Sequence, residues 1–444
     1  MKVLVVAWYF PPLQGTGIFR TVAVVNWLAR HGHQVTVIAP DRAYFERVAP
    51  LDEAMLAAVP EAVRVVEVPF PDLEDPIVNR WPIARAMDRD AWKDATRAWA
   101  LSQFPEPYYG VWRERISAAA LRLHDEIGFE RVYATASAYV DYAVAETLFS
   151  YAGVPYVLDD RDSFLFSVYD GQDRPHADAA RRWWEVLAAA ASALWFVNPP
   201  IAELYRRRYP GLADRIHVVE NGWEPSLLDV TRLAERPENP VFSYLGAINT
   251  GFLMEELLTA WQETVPRLPG APELRLYGNF GTRNRAAVIP DDAEQALAAV
   301  SGKFRPALRE MVQQTQGLRV MGAIPKAAVP DAYRETSVLV FFKEGGPLIT
   351  SSKIYEYLAT GLPIVAVVTP DHDSRRLLAQ YPRAHVGDIT RPETWAQVFL
   401  AAWEDAQTDD PQVRRRAVDV GARFTRERLL DEPLASFVRA ADKE

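Results

Sequence analysis

Short apolar runs rich in β-branched residues recur along the chain and are separated by longer stretches with helical periodicity. In the first half the runs are KVLVVA, QVTVIAP, VRVVEVPF, RVYATA, PYVLDD, ALWFVN and RIHVVENGW, which begin at residues 2, 34, 63, 131, 155, 193 and 215. A run of this kind is typical of a strand that is buried on both faces. Because the strands alternate with helices, the pattern predicts βαβ units and a parallel sheet.

The same pattern restarts after a polar, proline-containing stretch, EPSLLDVTRLAERPENP (Glu224–Pro240). Five further predicted strands, VFSYLG, ELRLYG, LRVMG, VLVFF and PIVAVV, begin at residues 241, 273, 318, 338 and 363. We therefore predict two Rossmann-like, doubly wound α/β domains, 1–225 and 226–410, and a helical segment, 411–444, that returns to the first domain. Ligands of such sheets bind beyond the carboxyl ends of the strands, so two facing sheets predict a central cleft.

Composition narrows the class of protein. A length of 444 residues suits two domains better than one. The formal net charge of −10 argues against a general electrostatic affinity for nucleic acid. The absence of cysteine excludes disulfides, thiolate catalysis and cysteine-ligated zinc, and the seven histidines show no metal-ligand spacing, so we expect no metal. No apolar run approaches the roughly 18 residues of a membrane span, and we expect a cytoplasmic protein.

A glycine-containing loop, QGTGIFR, begins at residue 14, after the first predicted strand, and opens a helix. Gly15, Thr16 and Gly17 would let the backbone approach a ligand and leave helix N–H groups facing an anion. A dinucleotide fingerprint needs a third glycine where this chain has Arg20, although Asp41 lies where a dehydrogenase has its ribose-binding acid. Three interpretations stay open: a site for NAD, a tight turn, or a loop for an acceptor or a donor phosphate.

The stretch SSKIYEYLATGLPIVAVV places a lysine and a glutamate at the front of a short helix that runs into a buried strand. Ser351 or Ser352 can cap the helix, and Lys353 lies in the first turn, where its charge opposes the helix dipole. That arrangement suits a bound anion such as a diphosphate. Glu356 lies one turn further and can accept hydrogen bonds from the two hydroxyls of a ribose. The alternative is a capped helix with a surface Lys–Glu pair.

The segment SSKIYEYLATGLPIVA resembles the signature helix of retaining GT-B glycosyltransferases of the family 4 type. Other segments resemble that family in the same order along nearly the whole chain: WYFPPLQGTGIFR, GVPYVLDDRDSF, IHVVENGW, YLGAI, RLYGNFG and RVMGAIPKAAVPDAYRETSVLVFF. The resemblance implies a GT-B fold with donor binding in the second domain and acceptor binding in the first. It also implies transfer of a sugar from a nucleotide-diphosphate sugar with retention of configuration, without a metal or another cofactor.

The resemblance also implies roles for single residues. Glu356 matches the family's ribose-binding glutamate. The other matching positions are Ser351, Ser352 and Lys353 at the diphosphate, Gly322 and Ile324 at the nucleobase, and Gly15, Thr16 and Gly17 in the first-domain glycine loop. Asp162, with Arg161 beside it, matches an acid that faces the cleft. We expect Asp162, Lys353 and Glu344 to carry the catalysis.

Two departures from the family pattern concern the donor. Leu348 stands where many members have a first glutamate, so we expect Glu344, or the backbone N–H groups of Gly345 and Gly346, to hold the sugar. Asn249 and Thr250 stand where members have an arginine and a lysine. The side chains that could supply the missing positive charge are Arg283, Arg285 and Lys343.

An aromatic insertion, residues 72–116, interrupts the first domain and contains tryptophans, tyrosines and several arginines. Its aromatic side chains either pack inward as a helical subdomain or serve an acceptor or peripheral contact with a membrane. We expect the partners to be a nucleotide-sugar donor and a sugar, lipid-linked or small-molecule acceptor, and no nucleic acid. The alternatives to a glycosyltransferase are an inactive GT-B protein that binds a nucleotide sugar, an NAD-dependent dehydrogenase and a sugar-nucleotide epimerase.

Overall fold

The chain forms two compact units, each built on one parallel sheet. The computed structural model describes residues 1–13, 15, 17–48, 51–71, 82–106, 108–136, 138–225, 237–246, 248, 253–278 and 306–439. The first unit comprises residues 1–220 and the chain from Leu429 onward, and the second comprises Asn221–Arg428. None of the helices in the described ranges is both long enough and apolar enough to cross a membrane.

The first unit contains a seven-stranded sheet among its described residues. Its strands are β1 (Lys2–Val6), β2 (Gln34–Pro40), β3 (Arg64–Val68), β4 (Arg131–Thr135), β5 (Tyr156–Asp160), β6 (Ala193–Phe196) and β7 (Ile216–Val218). They are parallel, in the order β3-β2-β1-β4-β5-β6-β7, with Val5 of β1 opposite Val37 on one side and Tyr133 on the other. The strand order reverses between β1 and β4, which is where ligands of doubly wound sheets bind.

Helices connect these strands as the alternating pattern predicts. They are α1 (Ile18–Arg30), α2 (Arg42–Val48), α3 (Pro82–Met87), α4 (Arg89–Gln103), α5 (Arg113–Ile127), α6 (Asp141–Ala152), α7 (Ala177–Ala190) and α8 (Pro199–Arg208). Local chemistry sets several ends. The carboxylate of Asp88 accepts the N–H groups of Asp90 and Ala91 at the start of α4, and Gly128, with a φ of 73°, ends α5.

The second unit repeats the plan with six described strands in the order β10-β9-β8-β11-β12-β13. The strands are β8 (Val241–Leu245), β9 (Glu273–Tyr277), β10 (Leu318–Gly322), β11 (Val338–Lys343), β12 (Ile364–Val368) and β13 (Ala384–Asp388). The helices are α9 (Met254–Thr264), α10 (Pro306–Gln314), α11 (Val329–Arg334), α12 (Ser352–Ala359), α13 (Ser374–Leu378), α14 (Trp395–Thr408), α15 (Pro411–Ala422) and α16 (Arg426–Arg439). Two doubly wound parallel sheets confirm the predicted α/β class.

One strand of the second sheet differs from prediction. The sequence predicts five strands there, and the structure adds β13, with the sequence AHVGD, at the sheet edge. Most of its residues are only partly buried, so the segment lacks the continuous apolar run of an interior strand. In contrast, every residue of β8 and β12 is buried.

The C-terminal helix α16 belongs mainly to the first unit. Leu430, Leu434 and Phe437 lie in the same hydrophobic cluster as the inward-facing residues of β1 and β2. The indole N–H of Trp27 donates to Asp431 at 2.9 Å, and the Arg131 guanidinium donates to the backbone oxygen of Phe437 at 3.3 Å. Along the chain, the first unit ends at Glu220 and resumes at Leu429.

Candidate functional site

The helix α12 exposes a polar face at its first turn. Its residues Ile354, Tyr355, Tyr357 and Leu358 are buried, so that Lys353 and Glu356 lie on the remaining face. The backbone of Ser351 is extended at the N-cap position, and no side chain caps the helix by a hydrogen bond. The first N–H groups of a helix have no acceptor within the helix and carry partial positive charge. This turn can therefore receive an anion.

Glu356 lies at the centre of a charged network on α12. Its Oε1 accepts from Lys326 Nζ at 2.6 Å, and its Oε2 accepts from Lys353 Nζ at 2.8 Å and from Tyr333 Oη at 3.3 Å. The side chain of Glu356 is only 12% exposed. Burial by itself raises the pKa of this carboxyl, but the charges of Lys353 and Lys326 outweigh it and lower the pKa to about 2. The carboxylate is ionised, and the three charged side chains carry a formal net charge of +1.

Lys326 is the member of this network that sequence reasoning missed. It follows β10, which ends at Gly322, in the segment that also contains Ile324, and 30 positions separate it from Glu356. Burial lowers the pKa of Lys326, and the attraction of Glu356 opposes that effect. The signal available in the sequence was a single basic residue in a loop beyond a strand, which does not identify its partner. Gly322 has a φ of 70°, and its carbonyl accepts from the N–H of Gly278 at 2.8 Å.

Hydrogen bonds made by its backbone groups hold the loop between β11 and α12. The N–H of Gly345 donates to Thr369 Oγ1 at 3.1 Å, and the carbonyl of Gly346 accepts from the N–H of Ile349 at 3.3 Å. The Gly345 N–H, which the sequence proposed as a donor to the sugar, is therefore engaged within the protein. Leu348, at the position of the family's first glutamate, is buried and 7% exposed, whereas Glu344 is exposed.

The first-unit glycine loop and the segment after β5 lie together. The Arg161 guanidinium donates to the carbonyl of Gly17 at 3.0 Å. A Cβ at Gly17 would lie 3.0 Å from Cγ of Tyr9 and 3.1 Å from Nη1 of Arg161, so a larger residue here would require one of these side chains to move slightly. Asp162 is exposed, and its backbone oxygen accepts from Arg174 at 2.6 Å. Thr16 lies outside the described residues.

A buried ion pair that the sequence did not predict anchors this edge of the sheet. Arg20 donates to both carboxylate oxygens of Asp159 at 2.7 Å and to the carbonyls of Val219 and Glu220 at 2.9 Å. Tyr133 Oη also donates to Asp159, at 2.5 Å. Arg20 is 2% exposed and Asp159 is fully buried. Arg20 occupies the position of the third glycine in a dinucleotide fingerprint, and here it fixes the backbone that follows β7.

Three other carboxyls near this edge have raised pKa values. Burial raises the pKa of Glu106 to about 8 and that of Asp160 to about 7, and it raises the pKa of Asp141 well above its usual value. Each accepts a backbone N–H: Glu106 from Val140 at 2.9 Å, Asp160 from Phe164 at 2.8 Å and Asp141 from Trp8 at 2.8 Å. These hydrogen bonds lower the pKa of each carboxyl by less than burial raises it. These three carboxyls therefore hold their protons to higher pH than a free carboxyl does.

Aromatic side chains cover part of the same edge. The ring of Trp8 lies 4.8 Å from that of Tyr9 and 4.9 Å from that of Tyr109, measured between centroids. The insertion supplies Tyr109, and its Trp92, Phe104 and Trp112 are buried, so these aromatics pack inward. Tyr108 is 43% exposed, and its hydroxyl lies 2.7 Å from that of Tyr44.

Several expected site residues fall outside the described part of the chain. Arg283, Arg285, Asn249, Thr250 and residues 72–81 of the insertion belong to this group. Asp41, considered as a ribose-binding acid, accepts the N–H of Phe70 at 3.0 Å. In the described ranges, His, Asp and Glu side chains form no cluster of three or more that could hold a metal ion.

Comparison with known proteins identifies the fold. No protein-family model and no curated protein sequence matches the chain. A glycosyltransferase from Rickettsia africae is similar in structure, with a TM-score of 0.64, 10% identity, and coverage of 100% of this chain and 99% of that one. HepE from Anabaena in complex with UDP-glucose gives a TM-score of 0.60, 12% identity, and coverage of 99% and 100%. A putative UDP-N-acetylglucosamine 2-epimerase from Listeria monocytogenes gives 0.56, 10%, and coverage of 100% and 97%.

At these identities the likeness concerns the fold. It extends over essentially the whole length of each chain. The predicted architecture is thereby confirmed, and the chain has the GT-B fold.

Proposed function

We propose that the protein is a glycosyltransferase that takes a sugar from a nucleotide-diphosphate donor. The observation that carries the proposal is the network of Lys326, Glu356 and Lys353 at the first turn of α12. Its positive charge stands out in a chain whose formal net charge is −10. A partly buried cluster of cations beside a helix N-terminus favours a ligand with concentrated negative charge, such as a diphosphate. The GT-B fold and the family 4 resemblance support the same assignment.

In this proposal the diphosphate lies at the start of α12, near Ser351, Ser352 and Lys353. Glu356 is kept ionised by its two lysines and accepts the ribose hydroxyls, while Gly322 and Ile324 line the nucleobase. When the bond between the sugar and the diphosphate breaks, negative charge grows on the leaving group. Lys353, Lys326 and the helix N–H groups are already in place to stabilise that charge, which is the general way in which such sites lower a barrier. The resemblance favours retention of configuration.

The first-unit edge suits an acceptor that carries hydroxyl groups rather than charge. Glu106 and Asp160 there have raised pKa values, Tyr9 is partly exposed and Tyr108 is 43% exposed. The partly buried carboxyl of Glu106 can exchange hydrogen bonds with hydroxyls, and aromatic faces pack on sugar rings or lipid chains. Glu344 and Asp162, both exposed, are the proposed carboxylates of the transfer step. We also propose that neither a metal nor a cofactor takes part and that the insertion can touch a membrane from the cytoplasmic side.

The first test is a thermal-shift screen with UDP, GDP, ADP, TDP and CDP, with NAD and NADP in parallel. A ligand that binds only the folded state adds roughly 2.7 kcal/mol of stability at a hundredfold excess over its dissociation constant. We expect one nucleoside diphosphate to stabilise the protein and this shift to be largely lost in Glu356→Ala and Lys353→Ala. The matched controls, Glu263→Ala on the exposed part of α9 and Lys93→Ala on α4, should keep the full shift.

The other functions predict different results in the same screen. A shift with NAD alone would indicate a dehydrogenase and overturn the proposal. Binding of a diphosphate with neither sugar transfer nor slow donor hydrolysis would indicate a nucleotide-sugar-binding partner protein. Interconversion of the nucleotide sugar in the absence of an acceptor would indicate an epimerase, an activity named for one of the structurally similar proteins.

A further inference from the structure

A second cationic group, outside the network of Glu356, lies at the carboxyl end of β11. Lys343 is the last residue of β11, and its side chain is partly buried. Its ammonium group has no hydrogen bond or ion pair with any part of the chain that the structure describes. Burial lowers the pKa of Lys343, and no neighbouring acid compensates. Burying a charge without a partner costs free energy. A bound anion would supply the partner that the described chain does not give Lys343.

A second unpartnered donor, His372, lies close to Lys343. It is 1% exposed, and its Nδ1 accepts the N–H of Ser374 at 3.1 Å. Burial lowers the pKa of His372 to about 4, with Asp373 opposing and Lys343 adding to the effect. The ring is therefore neutral, and because Nδ1 is an acceptor its proton resides on Nε2. That Nε2–H is buried and has no hydrogen-bond partner among the described residues.

Backbone contacts hold Lys343 and His372 next to each other. Lys343 pairs with Val368 in the β11–β12 register, and its carbonyl accepts the N–H of Thr369 at 3.4 Å. The N–H of His372 in turn donates to the carbonyl of Thr369 at 3.1 Å. A Cβ on Gly345 would lie 3.5 Å from Cδ2 and 3.7 Å from Nε2 of the imidazole, so the ring packs directly under the backbone of the loop.

Apart from Asp371, an exposed carboxylate whose charge acts on His372, the other charged groups of this corner are exposed or engaged within the protein. The carboxylate of Asp373 accepts from Thr350 Oγ1 at 2.5 Å and pairs with Arg376 at 3.1 Å. Arg375 donates to backbone carbonyls, including that of Thr369 at 3.0 Å. Glu344 is exposed and makes no ion pair with Lys343 within the described structure. The corner therefore offers hydrogen-bond donors and one uncompensated positive charge.

We propose that Lys343, with His372 beneath Gly345, forms a subsite for an anionic group on the sugar of the donor, so that the enzyme uses a carboxylated nucleotide sugar. The inference rests on the proposed function. Where many GT-B enzymes of the resembled family have a glutamate to accept sugar hydroxyls, this chain has the buried Leu348, and the nearby groups donate instead. A sugar carboxylate would accept from the Lys343 ammonium and, once the Gly345–Gly346 backbone shifts, from His372 Nε2.

The diphosphate itself is the other anion that could occupy this subsite, and the test separates the two. Dissociation constants are measured by calorimetry for UDP, UDP-glucose and UDP-glucuronate, or for the same set built on the base that the screen identifies. We expect wild-type protein to bind the carboxylated sugar nucleotide about tenfold more tightly than the neutral one. In Lys343→Met this preference should vanish, while the affinity for UDP stays within about twofold.

The matched control, Lys93→Met on α4 of the first unit, also removes a lysine and should preserve the preference for the carboxylated sugar nucleotide. His372→Gln keeps a donor at this position and should retain part of the preference, while His372→Phe should lose more. Equal affinity of wild-type protein for the two sugar nucleotides would overturn the inference and leave the proposed function standing. A loss of UDP affinity in Lys343→Met as large as the loss for UDP-glucuronate would assign Lys343 to the diphosphate and also overturn it. If none of the nucleotides binds, both this inference and the proposed function are refuted.

Discussion

The two sheets share one strand order, but the acids at their carboxyl ends have pKa values shifted in opposite directions. In the first unit, burial raises the pKa of Glu106 to about 8 and that of Asp160 to about 7. In the second unit, Lys353 and Lys326 overcome burial and lower the pKa of Glu356 to about 2. Arg20, the buried cation of the first edge, is fully engaged by Asp159 and two backbone carbonyls.

This difference shows what each edge can bind. At the first edge Arg20 is balanced inside the fold, and burial raises the pKa values of Glu106, Asp141 and Asp160. At the second edge two lysines contact one carboxylate, and a third lysine, Lys343, has no counter-charge among the described residues. One topology thus supports a polar but weakly charged surface in one unit and an anion-attracting surface in the other. Side chains at the strand ends, rather than the fold, decide between them.

The largest expected effect comes from removing the balanced cation. Arg20→Leu leaves the Asp159 carboxylate buried without its partner, which typically costs about 3–5 kcal/mol. Lys353→Met removes a charge of the same sign but leaves Glu356 with Lys326, and the side chain of Lys353 is 26% exposed, so we expect a loss of about 1 kcal/mol or less. Urea unfolding of both variants measures the contrast. Equal losses would show that the two edges do not differ in this way.

A second effect, of opposite sign in the two units, appears as pH changes. Glu356 has a folded pKa of about 2 against 4.5 unfolded, so its contribution of about 3 kcal/mol is present above pH 4.5 and is lost as pH falls towards 2. Glu106 has a folded pKa of about 8, so its contribution is present below pH 4.5 and is lost as pH rises towards 8. Unfolding free energies of Glu356→Gln and Glu106→Gln, each relative to wild type across this range, should therefore change in opposite directions. If the two stability differences changed with pH in the same direction, the pKa shifts assigned to Glu356 and Glu106 would be wrong.

The smallest effect concerns the hydroxyl that supports Glu356. Tyr333 Oη donates to Oε2 of Glu356 at 3.3 Å, a long hydrogen bond. Tyr333→Phe keeps the buried ring and removes only this donor, so we expect a loss of about 0.5–1.5 kcal/mol in stability. A weaker binding of the diphosphate by no more than a few fold should accompany it. A loss as large as that of Glu356→Ala would mean that the tyrosine, rather than the lysines, fixes the carboxylate.

The fold and the site could be predicted from the sequence to different extents. Interior strands are continuous apolar runs, and the pattern located all of those in the first sheet, whereas the polar edge strand β13 gave no such signal. Helix α12 was predictable because a serine precedes it and Gly361 ends it. The ion pairs were not: Arg20 and Asp159 are 139 positions apart, and Lys326 and Glu356 are 30 apart. Such contacts depend on how strand ends come together, which local pattern does not encode.

The C-terminal helix has a consequence for how the protein is made. The core of the first unit includes Leu430, Leu434 and Phe437, which the ribosome adds long after β7. At roughly 5–20 residues per second, about 10 to 40 seconds separate the emergence of β7 from that of α16. During that interval the first sheet is complete, but the apolar surface that α16 covers is exposed while the second unit is being synthesised. A nascent chain at that stage therefore exposes apolar surface of the kind that chaperones bind.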